Sequence, residues 1–113
     1  MSDAVSPLGQ LVARSADTAD LHAPVPTLLL ELQTLLGTLT ATVAAGTGRG
    51  RTPFRPGPDW PARLGELAYG VFLLADQTGV DLEAAVARTA NSVSAQTPPP
   101  APVEADWPLP TGD

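Results

Sequence analysis

Several kinds of residue are missing or scarce in this 113-residue chain, and each absence removes a class of function. It has no cysteine, so disulfides and thiolate metal sites are excluded. One histidine, His22, leaves no basis for a multi-histidine zinc site or a Cys-His nucleophile. Lysine is absent as well: all six basic residues are arginines, against twelve acids, for a net charge of −6 and a pI near 4.4. Affinity for phosphate backbones rests on clustered Lys and Arg, so a general nucleic-acid binder is not expected. Aromatics make up only 4% of the chain, and a core built from Leu, Val and Ala favours helices over a sheet. The first residues, MSDAVSPLGQ, lack a basic region followed by an apolar stretch, so no signal peptide is read there. No apolar run approaches the roughly 20 residues of a membrane span. These features lead us to expect one small cytoplasmic domain, with no nucleic-acid or membrane partner.

What is present has helical periodicity. Residues 1–22 hold a short helix in which Ser6-Pro7 reads as an N-cap with proline at the first helical position. The run Ala23-Pro24-Val25-Pro26 is expected to stop it. From Pro26 to about Ala45, residues Leu28, Leu32, Leu35, Leu36, Leu39 and Val43 form one apolar stripe, and Gly46 reads as the closing residue. The stretch GTGRGRTPFRPGPDWP (46–61) carries Arg49, Arg51 and Arg55, half of the chain's arginines. It lacks the Gly-Lys-Ser/Thr of a phosphate-binding loop. It reads as a solvated mobile connection, with an arginine lid over a phosphate as the sharper alternative.

A third helix starts near Asp59 or Trp60. Its main stripe is Leu64, Leu67, Ala68, Val71, Phe72 and Ala75, while Tyr69, Leu73 and Leu74 add apolar surface on other sides. A helix apolar over so much of its girth needs more than one neighbour, which implies a central position in a bundle or a dimer interface. Thr78-Gly79 breaks it, and Asp81 reads as the cap of a fourth helix bearing Leu82, Ala85, Val86 and Thr89. The last stretch, 97–113, contains six prolines and reads as a disordered acidic tail whose Trp107 and Leu109 are candidate contact points. The expected organisation is therefore an all-α domain of about four helices over 1–96, dimeric, followed by the tail 97–113.

The hairpin RLGELAYGVFLLADQTGVDLEAAVART (63–89) resembles the closing hairpin of MazG-like all-α nucleoside triphosphate pyrophosphohydrolases. Leu64-Gly65 and Leu67 match the apolar frame of that family's ExxD motif. Leu74-Ala75 and Gly79-Val80-Asp81 match its turn, Arg88-Thr89 match the start of its last run, and Leu36-Gly37-Thr38-Leu39 resemble the frame of its ExxE motif. The likeness spans roughly residues 26–93 and implies cleavage of (d)NTP to the monophosphate and pyrophosphate. In that family, facing pairs of carboxylates hold Mg²⁺ on the triphosphate.

Here the ExxD positions fall on Arg63 and Glu66, and the ExxE glutamates fall on Leu35 and Thr38. Glu66 keeps a carboxylate, and Glu31 stands one helical turn before Leu35. The resemblance thus implies Glu31 and Glu66 as metal-binding and catalytic residues, with Arg88 and Asn91 contacting the nucleotide. The i, i+3 spacing of Arg63 and Glu66 predicts an ion pair that takes over the charge role of the metal. The depleted carboxylate set predicts weak or lost hydrolysis. The alternative is a degraded family member kept for nucleotide binding or protein interaction. For each site residue a plainer role competes. Glu31, Glu66 and Arg88 read equally as solvated helix residues, Tyr69 as packing, and Asn91 as a helix-end cap.

Overall fold

Residues 6–96 are described by a computed structural model. The order is α1 (Pro7–Ala19), α2 (Val25–Gly46), α3 (Trp60–Gln77) and α4 (Leu82–Gln96), so the described residues are all-α with four helices, as the periodicity predicts. The tail with Trp107 and Leu109 lies outside the described residues. Contacts group the chain into two compact units, one ending at Glu83 and one beginning at Ala84, so the division falls in the first turn of α4.

Within the first unit, α1 begins as its sequence dictates. Ser6 is extended, and its Oγ accepts a hydrogen bond from the Gly9 N–H at 3.0 Å, with Pro7 entering the first turn. Such a cap contributes about 1 kcal/mol. The helix stops earlier than the proline run requires. Asp20 turns left-handed (φ 57°, ψ 49°), and the Leu21 N–H bonds back to the Ala16 carbonyl at 2.9 Å. Aspartate is one of the few non-glycine residues that tolerate this conformation, so the stop signal is Asp20, and Pro24 and Pro26 stand instead at the start of α2.

The core of this unit is Val12 and Ala16 from α1, Leu28 from α2 and Leu73 from α3, with Ala23, Tyr69, Phe72 and Leu74 packed around them. Ala16 is fully buried. Both α1 and α2 pack on α3, which is the central helix the all-round apolar pattern implies. Its core-facing side differs from the expected stripe. Leu73 is buried, whereas Leu64 is 44% and Val71 37% exposed. α2 and α3 lie close together at Gly70, where a Cβ would come within 2.6 Å of Leu32 Cδ2.

The stripe on α2 also splits. Leu28 and Leu39 are buried, Leu32, Leu35 and Val43 are half-buried, and Leu36 is 54% exposed. The structure corrects one expectation about this helix. Its 22 residues reach a mean hydropathy of 1.4 over the best window, enough by length and composition to cross a membrane, and only 11% of that window is buried here. Core helices of soluble proteins meet the same length and composition test, but they are mostly buried. Scattered Thr and Gln hide this length from a search for uninterrupted apolar runs. Moreover, Thr34, Thr38, Thr40 and Thr42 each donate their hydroxyl to the carbonyl four residues back, at 2.9–3.1 Å. Back-bonded threonines have no donor left to offer, so the surface of α2 is less polar than its composition.

In the second unit, α4 has no buried residue; Val86 and Val93 are both more than half exposed.

Candidate functional site

Glu31 of α2 and Glu66 of α3 line the same cleft, a space of about 310 Å³ over Leu32, Leu35, Tyr69 and Gly70. The spacing argument therefore places the two carboxylates on one opening, and both are exposed there. The predicted partner of Glu66 is present: Arg63 Nη1 lies 3.4 Å from Glu66 Oε1, with both side chains about half exposed. A pair this long and this wet contributes little to stability. Its effect is on charge, because one of the two carboxylates already has a cation beside it.

The replaced motif positions behave differently from each other. Leu35 forms part of the cleft wall, so a carboxylate at this position would enter the cleft. Thr38 is exposed and directs its hydroxyl to the Thr34 carbonyl at 3.1 Å. Among the described residues no three His, Cys, Asp or Glu side chains come together in a way that would hold a metal ion. Mg²⁺ takes an octahedron of oxygens and is usually held by carboxylates together with phosphates and water. Glu31 and an arginine-paired Glu66 do not match that donor set, so no step is assigned to a metal.

A feature to which the sequence gives no role organises the far side of this cleft. His22 Nδ1 lies 3.3 Å from Asp17 Oδ1, and its Nε2 lies 2.9 Å from Asp76 Oδ2. The imidazole thus joins the α1–α2 connection to the last turns of both α1 and α3. No motif predicts this contact, because Asp76 is 54 residues away in sequence. Nearby, the hydroxyls of Ser15 and Tyr69 share a 2.6 Å hydrogen bond, which gives Tyr69 a structural partner in α1. Arg88 and Asn91 belong to the second unit. Arg88 borders a shallow depression with Thr89 and Ser92, and both Arg88 and Asn91 are exposed.

The arginine loop is anchored where it leaves α2. Gly48, Arg49 and Gly50 all have positive φ (57°, 67° and 90°), a sharp reversal for which the two glycines carry no Cβ penalty. Thr47 is 5% exposed; its hydroxyl donates to the Val43 carbonyl at 2.7 Å and accepts from the Gly50 N–H at 2.9 Å. The Thr47 carbonyl also accepts from Arg51 and Thr52. The amides of residues 47–52 are turned inward to these partners, so this backbone offers no cradle for a phosphate. Whatever anion affinity the loop has must come from its side chains.

On the other side of the α2/α3 pair lies an open apolar groove of about 760 Å³, lined by Leu36, Leu39, Val43, Trp60, Leu64 and Leu67 with Arg49 at its edge. Periodicity signals the apolar residues, but it cannot tell which leucines are left uncovered. Comparison with protein-family models, with curated proteins and with solved structures gave no match.

Proposed function

We propose that this chain is a catalytically degraded MazG-like protein that works by association, pairing with a second copy of itself through the α2/α3 groove. The observation that carries this reading is the groove, a broad and open apolar surface between α2 and α3. Isolated chains rarely expose continuous apolar patches beyond a few hundred Å². Helices of 22 and 18 residues, packed side by side, offer a face on the order of 500 Å² per copy. Two such faces approach the lower end of a stable interface, roughly 1,200 Å² in total.

Charge selects the occupant. Residues 6–96 carry eight acids and six arginines, a net charge of −2, so repulsion between copies of this part of the chain is weak. Arg49, at the edge, is the one charged residue lining the groove, so two copies can meet there without opposing acids. Lipid fits less well, because α3, packed against α2, bears Arg63, Glu66 and Asp76. Each charge in a bilayer centre costs about 3 kcal/mol on insertion scales. Two-helix layers stacked face to face also match each other's ridge spacing, as in four-helix bundles.

Sedimentation velocity tests the pairing. The expected result is a dimer at about 100 µM that dissociates on dilution, with Leu36→Asp and Leu64→Asp monomeric and still helical. A wild-type monomer at that concentration refutes it, and co-sedimentation with vesicles would favour the bilayer instead.

The second reading is surviving hydrolysis of nucleoside triphosphates, with Glu31 and Glu66 as the acidic pair. Its support is that Glu31 and Glu66 share one cleft. A pyrophosphate-release assay over the common NTPs and dNTPs, with Mg²⁺ or Mn²⁺, separates the two. Turnover that vanishes in Glu66→Ala establishes the hydrolase, and silence with every nucleotide leaves association. In the triple variant Leu35→Glu, Thr38→Glu, Arg63→Glu, a rise in calorimetric Mg²⁺ affinity is the mark of a surviving ancestral frame.

A further inference from the structure

A second pocket, of about 260 Å³, opens at the start of α3, where the arginine loop meets the end of α2. Arg55 reaches it from the loop and Arg63 from α3, and Phe54 and Trp60 form one wall. The two rings meet edge to face, with centroids 4.9 Å apart and planes at 64°. Phe54 also rests 4.0 Å from the position a Cβ would take on Gly46, so the loop lies flat on the end of α2. From these residues we infer that the pocket binds a small organic anion carrying an aromatic ring, with the anionic group on Arg55 and Arg63 and the ring against Phe54 and Trp60. This site lies outside the cleft of Glu31 and Glu66, while Trp60 borders both it and the α2/α3 groove.

Three features carry the assignment. First, the chain has twice as many acids as arginines, yet among the described residues Arg49, Arg51 and Arg55 have no ion-pair partner. Guanidinium groups left open beside aromatic rings suit a phosphate or carboxylate on a flat body, since they bond such anions with two parallel N–H groups. Second, the wall is already built. Prolines 53, 56 and 58 each fix a backbone φ, and the Trp60 N–H bonds to the Gly57 carbonyl at 3.1 Å. A loop held in this way has little ordering left to lose when a ligand arrives. Third, Arg63 is available: its contact with Glu66 is 3.4 Å long and exposed, the kind of pair that is given up at small cost. Asp59 also borders the pocket, so two guanidiniums face one carboxylate, and the site matches a ligand of low negative charge.

Trp60 and Trp107 are the only tryptophans, so the full-length ¹⁵N-labelled chain gives two indole N–H signals. Titration with phenyl phosphate is expected to shift the Trp60 signal saturably. Inorganic phosphate (no ring) and benzylamine (opposite charge) should bind at least tenfold more weakly. Arg55→Ala, a change at an exposed loop residue checked for helicity by circular dichroism, should lower phenyl phosphate affinity by about tenfold or more, the loss expected for one charged hydrogen-bonding group. No saturable shift by about 10 mM overturns the proposal. So does equal affinity in Arg55→Ala, or equal binding of inorganic phosphate. Repeating the titration in Leu36→Asp, where pairing is expected to be lost, keeps the outcome for this site apart from that of the pairing proposed above.

Discussion

Leu28 and Leu36 lie on one helix, about two turns apart, and are treated in opposite ways. Leu28 is 3% exposed and locked against α1 and α3, while Leu36 is 54% exposed along the open groove. The same contrast recurs on α3 between Leu73 and Leu64. One side of the α2/α3 layer is closed by α1. The other is as apolar, but within the first unit no helix covers it. Identical side chains therefore stabilise the fold on one side and are free for association on the other.

Truncating the same residue type on both sides tests that contrast most severely. Leu28→Ala and Leu73→Ala should each lose about 2–5 kcal/mol in urea unfolding, because the cavities open in a packed core. Leu36→Ala should change monomer stability by less than about 0.5 kcal/mol while weakening self-association. A large loss at Leu36 measured under monomeric conditions would mean that the two sides are not distinct.

The next effect concerns the closed side alone. His22→Ala removes the contacts to Asp17 and Asp76, and about 1 kcal/mol of α1 docking should go with them. Asp76→Asn should cost more than Asp17→Asn, because the Asp76 contact is shorter and less exposed. Equal effects, read as Tm differences, would show that the histidine does not bridge to α3.

The smallest effects sharpen the picture within α3. A Cβ at Gly65 meets nothing within 4 Å, so Gly65→Ala should stabilise by about 0.5–1 kcal/mol through helix propensity alone. At Gly70 the same gain is opposed by contact with Leu32, so Gly70→Ala should leave Tm unchanged or lower it. If both variants gain equally, α2 and α3 are less tightly apposed there than the structure indicates.

Local chemistry was the legible part of this sequence. Ser6-Pro7 announces the start of α1, and the spacing of Arg63 and Glu66 announces their contact, because both signals lie within one turn of helix. Glu31 and Glu66 were placed on one cleft from helical register and the family frame together. What escaped depended on tertiary context. The periodicity of α3 does not select Leu73 over Leu64 as its core residue, since a helix apolar over most of its girth gives only a weak phase. His22 drew no role because its stronger partner comes from the other end of α3. The end of α1 was assigned to prolines when a left-handed aspartate already made it. The arginine loop read as a mobile connection, because neither its composition nor its glycines reveal that one threonine fastens it.

That threonine has a consequence for motion. Thr47 ends α2 and anchors residues 50–52 with its hydroxyl and its carbonyl. The first turn of the loop and the last turn of the helix are thus one opening unit, and their amides should exchange with solvent at a common rate. Fraying of α2 would release Arg49 and Arg51 together, so the loop's shape reports on the helix that precedes it.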